Sequence, residues 1–456
     1  QDSMRTYIIT YDDDTNSTMT FDHVNILGKG HLAFRNMTQA PVQITIHNFH
    51  GDKTGMLHTS VDQNIIIKDG DVPFPASFRV YDASNITLPA DIQLTDLTYK
   101  TIYMDGIIDG VRKLSVGRGV NFFIGNKGHY RNHDLLHFGL ESLEIYADGI
   151  LSSSYLNEHK PSLGLHIDKQ LRLHSGSRIE TPWLEVSADT IQVDVAGVID
   201  TSGRALSDIY QSGISTIRGG GSGGGNGAAG GQAAEQRVVG SPPSYGSLYT
   251  PQEYGGNGGS GGGDPHDLKC GSSVLNVGGK GGGVINLRVN RNLTLDGELR
   301  SDGKPGSGAM AGGGAGGSIY IVTKEFHGEG VITVIGGSIA GGATCLGGGG
   351  GGGRVAIHYE MSTFGGSVYS HGGHGYECGG AGTVLWRQLL NGGHNDRLFV
   401  DNKDLCVPKN SHIDWGILSD AHRGEHSFHT WLYDPRNIAD IVANNGTFTH
   451  EFNEIH

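Results

Sequence analysis

The sequence predicts an all-β protein folded as a parallel β-helix, a solenoid in which short strands stack coil upon coil. Short alternating or β-branched segments occur along the chain, and the C-terminal half repeats with a period near 30 residues. No convincing amphipathic helix of ten or more residues is present. We expect the β-helix to be right-handed.

Strand-like segments separated by glycine or Asp/Asn turns cover the first 200 residues. The clearest are Val42–Ile46, Asn64–Ile67, Phe78–Tyr81, Leu143–Tyr146, Leu171–Leu173 and Ile191–Val195. Their alternation is typical of strands that bury one face. The segments Ile191–Gly203 and Leu143–Leu151 already follow the pattern of the repeats further along the chain.

The repeats between Gly278 and Trp386 each combine a glycine run with an alternating strand. Equivalent strand positions are Ile285, Ile319, Val355 and Val384, which are 34, 36 and 29 residues apart. A second short strand follows in each repeat, at Leu295–Leu299, Gly330–Val334 and Gly366–Ser370. A coil cannot bury its inward face alone, so we predict that these four residues stack in one buried column.

Glycine is the anomaly of the composition, with 77 residues in 456 and only 13 prolines. The dense runs lie between Gly219 and Gly382, once per coil and just before a strand. One interpretation is a flexible linker. The other is extended polyglycine, packed side by side because no side chain intervenes. A phosphate-binding loop is disfavoured because no run continues into Gly-Lys-Ser/Thr and a helix.

We divide the chain into four stretches on these patterns. Residues 1–140 form a β-rich segment leading into the solenoid, 141–218 regular coils, 219–390 glycine-rich coils, and 391–456 a C-terminal segment. The segment near Thr20–Ile26 resembles Thr449–Ile455. Residues 391–456 are therefore also interpreted as the start of a further repeat in a tandem or head-to-tail protein.

The charge and the sequons bear on partners and compartment. A net charge of −14 disfavours nucleic acid and anionic membranes as partners, and no apolar run is long enough to span a bilayer. The first residue, Gln1, is what a processed product would show. We predict a secreted glycoprotein of the matrix or cell surface, with N-linked glycans at Asn16, Asn36, Asn85, Asn292 and Asn445.

Four cysteines, all in the C-terminal half, form no CxxC pair, which disfavours a zinc site. We favour two disulfides over four reduced, buried thiols. Cys345 and Cys378 are 33 residues apart, close to one period, so their loops should emerge from adjacent coils on the same side. Cys270 and Cys406 would then pair with each other.

The pattern of a glycine-rich turn, Ser or Arg, and a short Ile/Val strand, ending in "GGGGGGGRVAIH", covers roughly Ile191 to Trp386. It resembles large secreted or cell-surface glycine-rich tandem-repeat β-solenoid proteins of eukaryotes. Segments Gly28–Phe34 and Gly51–Gly55 are similar to the leading part of such repeats. The resemblance implies a location and an architecture. It carries over no catalytic residue.

Candidate sites for chemistry are weak. Asp12–Asp14 and Asp69–Asp71 read as turns, and neither has an evident Arg or His at a matching coil position. His371, His374 and Cys378 share one loop, and His422, His426 and His429 lie close together, but exposed polar residues are the simpler interpretation. Trp183, Trp386, Trp415 and Trp431 suit a core or cap as readily as a sugar. We predict no cofactor, metal or catalytic site.

The predicted function is therefore structural and non-enzymatic. The chain would build an extracellular fibre, matrix or surface coat by tandem or head-to-tail stacking, with itself as its main partner. The alternatives are a glycan-binding adhesin that contacts extracellular polysaccharide, and a β-helix polysaccharide lyase or hydrolase. Aromatic side chains along one β-face would favour the adhesin, and an acid pair in a cleft the enzyme.

Overall fold

A computed structural model describes most of the chain. The described residues are 5–10, 18–36, 41–60, 62–81, 84–125, 135–153, 162–205, 213, 223–228, 230–231, 233, 242, 244–261, 276–308, 310–339, 347–403 and 454–455. Within these ranges the protein is all-β, without a helix, and its strands pair mostly in parallel in long sheets. This is the arrangement of a β-solenoid, as the sequence predicted.

The chain divides into two compact units. The first unit comprises residues 1–181 and 186–199, and the second comprises residues 182–185 and 200–456. The predicted boundaries at residues 140, 218 and 390 stay predictions.

The first unit contains strands β1 to β17 and most of β18 and β19. They are β1 Arg5–Thr10, β2 Thr18–Ile26, β3 His31–Asn36, β4 Val42–Gly51, β5 Gly55–His58, β6 Gln63–Gly70, β7 Ala76–Val80, β8 Asn85–Thr87, β9 Asp91–Leu94, β10 Thr101–Met104, β11 Ile107–Asp109, β12 Lys113–Val116, β13 Asn121–Ile124, β14 Leu135–Ile145, β15 Ile150–Ser153, β16 Ser162–Leu173, β17 Arg178–Glu180, β18 Trp183–Val193 and β19 Val198–Asp200.

These strands form three stacks in the first unit. Their orders are β1-β3-β5-β7-β10-β13-β15-β17-β19, β2-β4-β6-β8-β11 and β9-β12-β14-β16-β18. Inward residues of successive coils lie in register, as Phe122, Leu151 and Ile179 do, and all three are fully buried. Each coil thereby covers the apolar face of the next, which is why no coil needs a core of its own.

The second unit contains the remaining strands in two stacks, β20-β22-β24-β26-β27-β28 and β21-β23-β25. They are β20 Val284–Leu295, β21 Glu298–Arg300, β22 Ser318–His327, β23 Val331–Thr333, β24 Arg354–Ser362, β25 Ser367–Tyr369, β26 Thr383–Leu390, β27 Gly393–Phe399 and β28 Glu454–Ile455.

The predicted column of the second unit is confirmed. Ile285 pairs with Ile319, Ile319 with Val355, and Val355 with Val384, all in parallel. The first three are 0% exposed and Val384 is 4% exposed. The shorter strands form a second column of Leu299, Ile332 and Val368.

One strand departs from the expected parallel pattern. β27 returns antiparallel along β26, with Leu390 opposite Gly393. The two residues between them are Asn391 and Gly392, and Gly392 has a φ of +97°, which favours glycine. Asn-Gly between two strands is a strong signal for a tight hairpin. The sequence therefore contained this information, and our purely parallel expectation missed it.

Candidate functional site formed by the glycine segments

The most distinctive feature of the second unit is a set of glycine-rich stretches outside the strands. We call them the glycine segments and define them as residues 223–228, 255–261, 278–283, 312–317, 347–353 and 378–382. None of their glycines has a positive φ. Their backbone therefore does not need glycine for its dihedral angles, and the reason for glycine must be space.

The available space is set by neighbouring backbone. A Cβ added to Gly314 would overlap the carbonyl oxygen of Lys280, and one added to Gly350 would overlap the carbonyl oxygen of Gly314. A Cβ at Gly317 would likewise overlap the carbonyl oxygen of Gly283. Backbone cannot move aside as a flexible side chain can, so these positions exclude even alanine without a rearrangement.

Segment 312–317 shows how the glycine segments are held together. Its amides three residues apart donate to the same neighbouring stretch, so three neighbours are contacted in rotation. The bonds, of 2.7 to 3.0 Å, are Gly312 and Ala315 to the oxygens of Gly259 and Gly256, Gly313 and Gly316 to Gly348 and Gly351, and Gly314 and Gly317 to Lys304 and Ser301. The backbone thus bonds sideways in three directions rather than within one sheet.

Segment 347–353 repeats this spacing. Gly349 and Gly352 donate to Glu377 and Gly380, and Gly350 and Gly353 donate to Gly337 and Val334. Between them, Gly351 donates to Gly224 at 2.9 Å. A buried amide without a partner costs free energy, so this lateral network satisfies a backbone that forms no sheet ladder.

A few side chains fit inside the network because they replace a backbone contact. Asn226 is fully buried and its Nδ2 donates to the oxygen of Gly316 at 2.7 Å. The Oδ1 of Asn257 accepts from the amide of Gly281 at 2.9 Å. The asparagines therefore act as part of the backbone pattern.

Arg354 joins the end of segment 347–353 to a covering loop. Its side chain is fully buried, its Nε donates to the oxygen of Tyr245 at 2.9 Å, and its Nη1 donates to Oγ1 of Thr383 at 3.1 Å. The hydroxyl of Tyr245 donates to the oxygen of Tyr254, and burial raises the pKa of Tyr245. Arg354 thus has a structural role, since a buried guanidinium needs several acceptors.

A second buried polar group of the second unit lies on β24, β26 and β27. Arg387 donates from Nε and Nη2 to the two carboxylate oxygens of Asp396 at 2.9 and 2.7 Å, and Asp396 is 1% exposed. Beside this pair, burial and the positive charge of Arg387 lower the pKa of His358 to about 4. The ring of His358 packs edge-on against Tyr320.

The first unit carries a ladder of titratable side chains at the C-terminal ends of β14, β16 and β18. His174 lies between two carboxylates, 3.4 Å from Oε2 of Glu144 and 3.6 Å from Oδ2 of Asp194. Its ring stacks on Tyr146 at 4.4 Å, and the Tyr146 hydroxyl donates to Glu144 at 2.7 Å, which raises the pKa of Tyr146. Arg172 donates to Asp194 at 3.2 Å. Each of these side chains therefore contacts another side chain of the same ladder.

Of the two predicted aspartate turns, only the one at Asp69–Asp71 lies within the described residues. Asp12–Asp14 lie outside it. Asp69 and Asp71 are exposed, and Asp69 accepts from the amide of Gly70, as expected of a turn. Contrary to our expectation, Asp71 does have a histidine beside it, since Nδ1 of His50 lies 2.9 Å from its Oδ1. Adjacent coils place side chains about 20 residues apart together, which a linear reading cannot see.

Two histidine groups were considered as metal candidates. Within the described residues, no group of three His, Cys, Asp or Glu side chains could hold a metal ion. Cys378 is buried and disulfide-bonded, with its Sγ 3.9 Å from Nδ1 of His374. Its partner lies outside the described residues, as do Cys270, Cys345 and Cys406, so the predicted pairings stay predictions. His422, His426 and His429 also lie outside.

The sequons occupy varied positions. Asn292 is exposed, at the irregularity of β20 between Val289 and Asn292 rather than on a turn, and Asn85 is half-buried on β8. Asn36 ends β3. Asn16 and Asn445 lie outside the described residues. Asn292 is therefore more accessible for glycosylation than Asn85.

The tryptophans that the structure describes pack with other aromatic rings. Trp183 meets Tyr254 edge-on at 5.5 Å, and Trp386 packs beside the stacked rings of Phe326 and Phe364, at about 6 Å from each. Trp386 also borders a cavity of about 260 Å³ beside β25, a small volume for a ligand site. Trp415 and Trp431 lie outside the described residues.

The chain matches no family model, no curated protein and no solved structure. Among the described residues, no helix is long and apolar enough to cross a membrane.

Proposed function

We propose that this protein is a structural, non-enzymatic component of an extracellular fibre, matrix or surface coat. The observation that carries the proposal is the lateral bonding of the glycine segments. These stretches devote their backbone amides to lateral bonds with neighbouring backbone, and most of their residues are glycine, which has no side chain to react. Such packing suits a protein that must resist unfolding and proteolysis, because the covered backbone groups are shielded from water and from proteases.

The finer architecture is part of the proposal. The solenoid is taken as right-handed, and the glycine segments as extended left-handed helices with three residues per turn that pack side by side. The period of three in their hydrogen bonds supports this assignment, since a threefold helix directs every third amide to the same neighbour. Glycine loses more freedom on ordering than any other residue, so only dense packing of many segments compensates.

The proposed compartment is extracellular. Five sequons support it, together with a disulfide-bonded cysteine in the second unit. Assembly is proposed to proceed by tandem or head-to-tail stacking of coils. Edge strands favour this route, because they present rows of N–H and C=O groups to another chain.

The test is the glycosylated chain expressed through a secretory pathway and purified at micromolar concentration. We expect filaments or higher oligomers in negative-stain electron microscopy and sedimentation velocity, and a mass loss after N-glycosidase treatment. A monodisperse monomer at all concentrations would overturn the fibre assignment. Protein that carries no glycan would overturn the compartment.

A further inference from the structure

Asparagine followed by glycine occurs four times in the sequence, at Asn226, Asn257, Asn391 and Asn445. The structure describes the first three of these pairs and places them in very different surroundings. Asparagine is a thermolabile residue, because its side-chain amide can react with the backbone nitrogen of the next residue. A following glycine has no side chain to hinder that reaction and has the freest backbone. The surroundings of each pair therefore decide which asparagine reacts.

The pair Asn391–Gly392 forms the exposed tip of the hairpin between β26 and β27. A Cβ added to Gly392 or to the next residue, Gly393, would meet no atom within 4 Å, so the tip has open space around it. The two central residues of such a hairpin lie outside the ladder of hydrogen bonds, so the ladder does not hold the amide nitrogen of Gly392. Exposed loop tips also tolerate a change of the chain more readily than packed segments do.

The pair Asn226–Gly227 lies inside the glycine segments instead. Asn226 is 0% exposed, and its Nδ2 donates to the oxygen of Gly316 at 2.7 Å. A Cβ added to Gly227 would overlap the carbonyl oxygen of Gly353. The side-chain amide is thus held by a hydrogen bond, and the packed backbone leaves no room for a ring to close.

The pair Asn257–Gly258 is held at both reacting groups. The Oδ1 of Asn257 accepts from the amide of Gly281 at 2.9 Å. The amide nitrogen of Gly258, which would have to attack the side chain, donates to the oxygen of Gly279 at 2.7 Å. Reaction at this pair would break the lateral bonds of the glycine segments, and unmaking a buried hydrogen bond costs free energy.

We infer that Asn391 is the site of a spontaneous deamidation that alters this hairpin as the protein ages. The amide nitrogen of Gly392 loses its proton to solvent and bonds to Cγ of Asn391, while the bond from Cγ to Nδ2 breaks and Nδ2 leaves as ammonia. Water then opens the cyclic imide at either carbonyl. Opening at Cγ gives aspartate, and opening at the main-chain carbonyl gives isoaspartate. In sum, asparagine and water become an acid and ammonia, and nothing is oxidised or reduced.

The two products differ in their effect on the hairpin. Aspartate adds a negative charge to the tip and leaves the course of the backbone unchanged. Isoaspartate routes the chain through the former side chain, which adds a methylene to a turn whose length sets the register of its strands. The pairs next to the tip, Leu389 with His394 and Leu390 with Gly393, should then separate first. This inference does not rest on the structural role proposed above.

The first test follows the purified full chain during incubation at pH 8 by peptide mapping with mass spectrometry. We expect deamidation at Asn391 to be at least about tenfold faster than at Asn226 or Asn257. In concentrated guanidinium chloride all three should react at similar rates, because each is followed by glycine and has lost its folded surroundings. Similar rates in the folded protein, or an intact Asn391 beside a reacted Asn226 or Asn257, would overturn the site.

The second test measures the hairpin itself by hydrogen exchange. Aged wild type should lose protection at Leu389 and Leu390, whereas equally aged Asn391→Gln should keep it, because the longer side chain would have to close a larger ring. Freshly prepared Asn391→Asp is the matched control, since it adds the charge without the extra methylene. An equal loss in Asn391→Asp would overturn the change of register in favour of a charge effect. Equal protection in aged wild type and aged Asn391→Gln would overturn the effect on the hairpin.

Discussion

The two units stack parallel strands in the same way but fill the space between strands differently. In the first unit, paired residues of neighbouring coils are 20 to 29 residues apart, as for Thr101 with Asn121 and Asn121 with Ile150. In the second unit such pairs are 29 to 36 residues apart, as for Val355 with Val384 and Val331 with Ser367. The extra residues are largely the glycine segments, so the second unit adds a layer of backbone beside its apolar core.

This difference separates two ways of excluding water. The first unit removes apolar side chains from water, and each large buried side chain contributes about 1.5–3 kcal/mol. The second unit also pairs backbone with backbone, at a net gain of about 0.5–1.5 kcal/mol per hydrogen bond against about 1–2 kcal/mol of ordering entropy per residue. The backbone layer should therefore be more cooperative and less tolerant of single changes.

The largest effect is expected from a side chain placed in the glycine layer. In Gly350→Ala the new Cβ would overlap the oxygen and carbon of Gly314. We expect a loss of more than about 3 kcal/mol, or failure of the glycine segments to order. Hydrogen exchange with mass spectrometry should show lost protection across residues 312–317 and 347–353, while the strands of the first unit keep theirs.

The matched control for this prediction is Gly365→Ala, where an added Cβ meets no atom within 4 Å and φ is not positive. It should leave exchange and thermal unfolding unchanged within about 0.5 kcal/mol. Equal tolerance of both alanines would mean that the glycine layer is loosely packed, and the comparison between the units would fail.

A cavity in the first unit should have a smaller and more local effect. Phe122 is fully buried and stacks in the column with Leu151. Phe122→Ala should cost about 3 kcal/mol, because the transfer energy is lost and the rigid coils cannot close the void. Chemical denaturation measures the loss of stability, and hydrogen exchange at β10, β13 and β15 shows where protection is lost. An equal loss of exchange protection at residues 347–353 would contradict the expectation that the two units pack independently.

The sequence was informative where a local pattern carries the physics. Alternating strands predicted the buried column from Ile285 to Val384, because period-two burial is read directly from a strand. It was less informative where contacts depend on which coil lies beside which. His50 beside Asp71 and the paired rings of Tyr103 and Phe123 follow from coil lengths, and insertions change those lengths freely.

An acid-dependent loss of stability is predicted for the second unit. Burial and Arg387 lower the pKa of His358 from 6.5 to about 4, while Asp396 opposes this. The unfolded chain then takes up a proton near pH 6.5 that the folded chain takes up only near pH 4. Stability contributed by neutral His358 is therefore fully present above pH 6.5 and declines as the pH falls towards 4, by about 1.4 kcal/mol per pH unit.

The measurement is the urea unfolding midpoint of the wild type and of His358→Phe at pH 7, 6 and 5. His358→Phe should flatten the pH dependence. Parallel curves for the wild type and His358→Phe would show that another group controls the acid response.

The smallest effect is expected at the ladder of the first unit, where the enzyme alternative is most open to test. Glu144 and Asp194 flank His174, but each is about a third exposed or less, and both already accept bonds from neighbours. If the ladder only decorates the surface, Glu144→Gln should cost less than about 1 kcal/mol. Neither the wild type nor the variant should then cleave polygalacturonate, as judged by the absorbance of unsaturated products and by reducing-end assays. If the wild type cleaves polygalacturonate and Glu144→Gln abolishes the cleavage, catalysis would be assigned to this ladder. The two units would then differ in function as well as in packing, the first being catalytic and the second structural.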